Sequence, residues 1–525
     1  MDQKKPSGPP PGAAGQKPPD IREIMADYDK AVKFFHEMPA EAWEGLGQKT
    51  ALSIYNEIIE TIPVYRDFLE SHGFEPRKLD SVEQFQQIPI IDKYNYIQAY
   101  DFNDVNPVQA GKNLYSFSLS SGTVDEPTIW PRYYQYEESV LPSVVGMYLR
   151  LYWQIDKKST LFINALALGA WSAGFTMHAG LRPLTQKYNF TYVPIGADVD
   201  NIIFTILRLS KYYDQTAIIT YTTFMRTILE RLEQTKVKIK DLHLKLFIGG
   251  EGHTVEWRRY INKLISGDPE DSTSIIDNYA SSDTMIAGLS SVVTNLIRDL
   301  ASKNENFRKD LFGRTDCIPT LFQYNPASSF IEEINEEIVL TTKNATPLVR
   351  YNIHDKGGII KFREMEEILK KYGYDYKELI KERGLGEEYI WQQPLVYLFG
   401  RRDDTVIIAG ANIFPEQIAP ALFNEKVKDI HSFKLSMKYD KRQRQFFYAL
   451  LELKKGISYN KIQMIKMRKK YHAIIMDRLL RVNSDYMISY KADSKYADII
   501  IEIYNNDEGP FKGDSERIKP QLVIK

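Results

Sequence analysis

Binding a polyphosphate takes a turn that aims several backbone N–H groups and hydroxyls at one point, with a residue small enough to let the phosphate close in. Residues 115–132, YSFSLSSGTVDEPTIWPR, contain such a turn: Ser120, Ser121, Gly122 and Thr123 follow a strand-like run, and Gly122 permits the close approach. The same composition also makes ordinary turns. Asp125 and Glu126 come next, and their charge is unfavourable beside a triphosphate unless magnesium or Arg132 compensates.

Four further groups of residues follow in chain order. IGGEG, with Gly250 and Glu251, puts small residues at a strand end, where a flat ring could lie against the backbone. DNYASSD supplies Asn278, the aromatic Tyr279, Ala280, the hydroxyls of Ser281 and Ser282, and the carboxylate of Asp283. TPLVRYNIHDKGG supplies Asp355, and FGRRDDTVIIAGANIFPEQI supplies Arg401, Asp403 and a Gly/Asn turn. Each has a plain structural alternative: a core aromatic, helix or turn caps, or a surface ion pair.

In this order and spacing, from about Tyr115 to the C-terminus, the chain resembles the adenylate-forming superfamily of acyl-CoA synthetases, and within it the phenylacetate-CoA ligase-like branch. The resemblance implies that Ser120, Ser121, Gly122 and Thr123 hold the ATP phosphates, that Gly250, Glu251, Asn278, Tyr279, Ala280, Ser281 and Ser282 line the nucleotide site, and that Tyr279 packs on adenine. It further implies that Asp283 binds magnesium, Asp355 the ribose hydroxyls, and Arg401 the nucleotide as a catalytic cation, while Asp403 is a hinge. Lys519 matches the family's C-terminal catalytic lysine, with Lys512 as a rival. One carboxylate plus phosphate oxygens suffices for magnesium, a hard cation that takes few protein ligands.

The implied activity is ATP-dependent activation of a carboxylic acid to an acyl-adenylate with pyrophosphate release, then acyl transfer to CoA or another thiol by an AMP-forming acid–thiol ligase. Transfer to an amine or a carrier protein is the alternative enzyme, and a nucleotide-binding pseudoenzyme the alternative outside catalysis. The phosphate loop departs from the family's Thr-Gly-x-Pro-Lys: Val124, Asp125, Glu126, Pro127 and Thr128 stand there, without the lysine. The expected magnesium acid is Asp rather than Glu. Ile518 stands before Lys519 where a glycine is usual, and Leu522 after it where an arginine is usual.

The elements that must position these groups show in the hydrophobic pattern. Residues 21–74 carry apolar positions at helical spacing, and the second run there ends at a glycine suited to a helix C-cap. Short apolar runs (TLFINALAL, TAIITYT, LKLFIGGE, TSIIDNY) then alternate with helical stretches, the pattern of a largely parallel sheet covered on both faces. EEIVLTT and GGIIKF predict a β-rich layer, with a charged helical excursion after it. The fold class is therefore α/β: a large N-terminal domain over 20–402 and a small α+β C-terminal unit over 403–525, which the resemblance implies is a mobile lid, preceded by a disordered Pro/Gly-rich tail at 1–19. NALALGAWSAGFTMHAG either lines an acyl pocket with Trp171 and His178 or forms a buried helix.

Composition limits the partners. A chain of 525 residues with 43% hydrophobic content can bury two cores. Its 68 Lys+Arg against 69 Asp+Glu leave a net charge of −1, which directs it toward small molecules rather than nucleic acid. The basic helix YNKIQMIKMRKKYHAIIMDRLLRV reads as a solvated face. A single cysteine, Cys317, fits a reducing compartment, and no apolar run approaches the roughly 20 residues of a membrane span. A cytoplasmic location is the expectation.

Overall fold

Asp27 opens the first well-ordered helix, Tyr28–Glu37, by accepting a hydrogen bond from the Lys30 amide at 3.1 Å. The computed structural model describes residues 24–25, 27–107, 116–120, 128–133, 140–250, 252–315, 318–401, 406–422, 427–512 and 523–524, so the expected tail lies outside the described residues. The second helical run is two helices, Ala40–Thr61 and Pro63–Ser71. Pro63 has no N–H to continue the first helix but suits the first position of the next. Gly73, at φ +77°, follows the second helix in the left-handed conformation that glycine adopts without strain. These helices lay Trp43, Tyr55 and Phe68, all fully buried, against the large unit.

The strands are β1 (Ser116–Ser120), β2 (Thr128–Arg132), β3 (Thr160–Asn164), β4 (Phe190–Pro194), β5 (Gln215–Tyr221), β6 (Lys245–Gly249), β7 (Ile275–Ser281), β8 (Met285–Leu289), β9 (Thr320–Gln323), β10 (Ser329–Ile334), β11 (Glu337–Thr342), β12 (Leu348–Ile360) and β13 (Leu395–Arg401). Strands β1 and β2 pair antiparallel, from Ser116 opposite Arg132 to Ser120 opposite Thr128. The other eleven form one sheet in the order β10-β11-β12-β13-β9-β8-β7-β6-β5-β3-β4. From β4 to β7 the pairs are parallel, and from β7 outward they are antiparallel. The parallel sheet and the β-rich layer expected from the sequence are thus halves of one continuous sheet. Near-continuous apolar runs such as TLFIN and the centre of QTAIITY belong to strands buried on both faces. The helices Val199–Leu209, Thr222–Glu233 and Val255–Ile265 bury Ile206, Leu229 and Ile261 against that half.

A separate hydrophobic core gathers residues from Val406 to Val523. It is built on β14 (Val406–Ile408), β15 (Ala411–Ile413), β16 (Ile430–Tyr439), β17 (Gln445–Leu453), β18 (Ile499–Tyr504) and β19 (Val523–Ile524), with β18-β17-β16-β19 as a four-stranded sheet. The basic helix spans Lys461–Val482, capped by Asn460 and Gln463 in a reciprocal box, and buries Tyr471, Ile475, Met476 and Leu479.

The antiparallel half is held to the entry segment by Arg350, a buried residue at φ +48°. Its Nε donates to Glu332 at 3.1 Å, and Nη1 donates to the Gln86 and Ile88 carbonyls. Burial raises the Glu332 carboxyl above its ordinary value even with this guanidinium alongside. An ion pair so placed costs desolvation, and removing one partner strands the other. Arg350→Met is expected to destabilise the fold by about 3–5 kcal/mol, with much of the loss recovered in Arg350→Met/Glu332→Gln, read as denaturation midpoints.

Candidate functional site

At β7 the sheet changes from parallel to antiparallel, and a crevice opens beyond the carboxyl ends of β5, β6 and β7, the position where open α/β sheets bind ligands. A cavity of about 1110 Å³ fills it. Of the residues expected from sequence, Ser120, Gly250, Asn278, Tyr279, Ala280, Ser281, Ser282, Asp283 and Asp355 all line this one cavity.

The floor is set by close backbone approach. Asn278 stands opposite Gly249 and donates to the Ile248 carbonyl at 2.8 Å; a Cβ at Gly249 would stand 2.4 Å from the Asn278 amide. Gly250, at φ +81°, lies against Tyr221, whose ring would be 2.8 Å from an added Cβ. Gly410 of the small unit, at φ +84°, approaches the same ring, where an added Cβ would be 2.7 Å away. Two glycines, one from each unit, therefore pack close to the Tyr221 ring. Nothing in its own sequence neighbourhood marks it.

Tyr279 and Asp355 come from opposite halves of the sheet. The Tyr279 hydroxyl donates to Asp355 Oδ2 at 2.8 Å, and the buried ring stacks on Phe322 with centroids 5.8 Å apart. Asp355 stands directly opposite Arg401 in the β12–β13 register. The Asp283 carboxylate accepts from the Tyr351 hydroxyl, and its carbonyl accepts from Asn344 at 3.1 Å. The Ser281 hydroxyl is taken up locally: it accepts from the Asp283 and Thr284 amides at 3.2 and 3.1 Å, which shapes the turn that presents Asp283.

Two cations reach this region, Lys93 from outside the expected motifs and Arg132 from the end of the 115–132 segment. Lys93, in the π-helical turn Lys93–Ile97, donates to Ser120 Oγ at 3.2 Å, where Trp130 Nε1 also donates. Arg132 is buried and donates from Nη2 to the Ser282 carbonyl and, at 3.2 Å, to Ser172 Oγ. It ties the β1–β2 pair to the turn carrying Asp283. The segment NALALGAWSAGFTMHAG forms the helix Ser172–Leu181; Trp171, Ala173, Thr176 and Met177 line the cavity, whereas His178 faces the Tyr192 hydroxyl at 3.3 Å.

Ser121, Gly122, Thr123, Asp125, Glu126, Glu251, Asp403 and Lys519 lie outside the described residues, and of Arg401 only the backbone is described. Lys512 is exposed beyond the short turn Gly509–Phe511 and is absent from the cavity lining. Among the described residues no three His, Cys, Asp or Glu side chains cluster as a metal site, and no helix is long and apolar enough to cross a membrane.

No family model matches the chain. It is 22% identical to a phenylacetate-coenzyme A ligase of Thermus thermophilus over 390 residues, covering 73% of this chain and 76% of the relative. It is likewise 22% identical to one from Aromatoleum evansii over 394 residues, covering 73% and 78%. A crystal structure of 2-hydroxyisobutyryl-CoA ligase with 2-HIB-AMP and CoA, in the thioesterification state, superposes with a TM-score of 0.62 at 14% identity, covering 94% of this chain and 91% of the other. The chain is thus similar in sequence to phenylacetate-CoA ligases and shares the fold of an acyl-CoA ligase. The same ligase in its postadenylation state scores 0.51 over 94% and 91%.

Behind the crevice lies a buried ionic cluster. Asp277 Oδ1 meets His253 Nε2 at 2.7 Å and Oδ2 lies 3.6 Å from Arg258, while Arg298 donates to the His253 carbonyl. Burial pushes the Asp277 carboxyl up, but His253, Arg258 and Arg298 outweigh it and hold the value down at about 2. A depressed carboxyl stabilises the fold above its unfolded value and loses that contribution as pH falls through the folded one. Stability is therefore expected to drop between about pH 4 and pH 2. Asp277→Asn is expected to be less stable at neutral pH and flatter across that window, measured by denaturant midpoint against pH.

Proposed function

We propose that this chain is an AMP-forming acid–thiol ligase that activates a carboxylic acid with ATP and passes the acyl group to CoA. The observation that carries this reading is the meeting, in one cavity, of the Tyr279–Asp355 pair, the Asp283 carboxylate, the Gly250 turn and the small unit's Gly410.

In the first half-reaction an oxygen of the substrate carboxylate attacks the ATP α-phosphorus, and the bond to pyrophosphate breaks. In the second, a thiolate attacks the acyl carbon of the adenylate, and AMP leaves with the bonding pair. Both steps bring anions together, so the chain's part is to orient reactants and place positive charge where negative charge grows. Asp355 accepts from the ribose hydroxyls, with Tyr279 fixing its carboxylate. The Gly249–Gly250 backbone leaves room for a flat base. Ser120 to Thr123 hold phosphate, and Lys93 on Ser120 Oγ brings a cation to a loop whose own lysine is missing. Lys519 and Arg401 supply the remaining cations, and Asp403 is the hinge. Asp283 is the residue that would hold magnesium; one carboxylate with phosphate oxygens is a donor set that the ion accepts. When bound, magnesium neutralises charge on the phosphates.

Trp171, Ala173, Met177, Ile219 and Ile286 give the cavity an apolar wall, which suits an acyl group without a second charge. The higher superposition score with the thioesterification state supports reading the described arrangement as that of acyl transfer.

The decisive measurement is carboxylate-dependent ATP/pyrophosphate exchange over a panel of aryl and alkyl acids, then mass detection of a CoA thioester. Exchange with at least one acid, and thioester with that acid, are expected; nucleotide binding without exchange for any acid overturns the reading. Lys519→Ala is expected to lower exchange about 100-fold or more. Gly410→Val separates the steps. It forces a side chain onto Tyr221 only when the small unit is docked as described, so thioester formation should fall at least about tenfold, ~1.4 kcal/mol of barrier, while exchange persists.

A further inference from the structure

The basic helix is not used by the site. Lys461–Val482 is 22 residues long, about 33 Å at 1.5 Å per residue. Its C-cap, Asn483, donates to the Asn412 carbonyl at the edge of the cavity at 2.8 Å. Its first turns therefore lie roughly 30 Å along the helix from that contact.

Those turns carry charge of one sign. Between Lys454 and Lys470 the chain has seven cations and no carboxylate, in a protein whose net charge is −1. All seven are exposed, and none has an ion-pair partner among the described residues. Among them stand two isoleucines in the open, Ile462 at 69% and Ile465 at 57% exposure. Ile462, Lys466 and Lys469 fall at i, i+4 and i+7 and share one stripe, opposite the face that buries Tyr471 and Ile475 in the domain core. Solvation explains the lysines. It does not explain aliphatic side chains left bare in the centre of the charge.

We propose that this face is a docking surface for a bilayer carrying anionic headgroups, with Ile462 and Ile465 entering the headgroup–acyl boundary and the surrounding lysines and Arg468 neutralising lipid phosphates and carboxylates. Charge complementarity calls for an anionic partner, and exposed aliphatic groups beside basic ones are the composition of interfacial helices. A single-stranded nucleic acid would be met by exposed aromatic platforms. Here the neighbouring rings are engaged: Tyr471 is buried, and the Tyr459 hydroxyl donates to Asp429 at 2.6 Å. The inference does not depend on the ligase reading.

The test is co-sedimentation of the full chain with vesicles of phosphatidylcholine alone and of phosphatidylcholine with about one third phosphatidylserine. Binding is expected only to the anionic vesicles, falling at least about fivefold when salt is raised from 0.1 to 0.5 M because the Debye length drops. Lys466→Glu/Lys469→Glu/Lys470→Glu should lower binding at least about tenfold, and Ile462→Ser/Ile465→Ser should lower it several-fold at unchanged charge. Both variants should keep the wild-type unfolding midpoint. The serine pair and the salt titration carry the test should the triple variant not fold. Equal binding to neutral vesicles, undiminished binding by the variants, or no vesicle binding while single-stranded nucleic acid or an acidic protein is retained would each overturn the proposal.

Discussion

The whole site depends on the reversal of strand direction at β7. A parallel strand ends with its carboxyl end at the crevice, and its antiparallel neighbours return to the same edge from the other side. Tyr279 on β7 and Asp355 on β12, 76 positions apart and separated in the sheet by β8, β9 and β13, meet in a 2.8 Å hydrogen bond. That bond spans the two halves of the sheet where a ligand would lie. It also helps hold the buried Asp355 carboxylate in place in the crevice. The glycines at 249 and 250 serve the same edge, because Asn278 and Tyr221 occupy the space where their side chains would be.

Charge is the second theme. The 115–132 segment carries Asp125 where the pattern it resembles carries a glycine, and Thr128 where that pattern carries a lysine, while Lys93 donates to Ser120 and Arg132 to the Ser282 carbonyl. Lys93 lies beyond the entry helices, on a turn whose Asp92 accepts from the Tyr94 and Asn95 amides. His354, next to Asp355, faces Asp92 at 3.3 Å and Glu337 at 3.4 Å, and the hydrogen bond to Asp92 leads in raising its pKa above the ordinary imidazole value despite burial. Asp92 thus shapes the Lys93 turn on one side and engages His354 on the other. The turn that follows the entry helices therefore contributes directly to the electrostatics of the crevice.

Much of this was legible. TLFIN, TAIITY, KLFIG and SIIDNY announce their strands because strands buried on both faces need unbroken apolar runs, and the motifs fall at strand ends in the expected order. What was not legible involves long-range contact. Nothing local marks Tyr221, Lys93 or the Asp277 cluster, because each matters only through what the fold brings beside it. The fusion of the parallel and antiparallel halves escaped notice for a similar reason. Hydrophobic alternation reports which face of a strand is buried, not which strand is its neighbour. The break at Pro63 was visible in principle, but helical periodicity runs through it without a change of phase.

The contact between the two units has the character of a reversible one. The small unit meets the large one through Gly410 against the Tyr221 ring, through Ala492 against the cluster around Trp257 and Ile261, and through Tyr496 beside Glu230, where burial and that carboxylate push its hydroxyl up. None of these inserts a large apolar side chain into the opposite core. An interface of small residues over ring faces loses little when it opens, whereas each unit keeps its own closed hydrophobic core. Gly410 in the left-handed conformation gives a contact close enough to wall the cavity, with no side chain of its own between the two units.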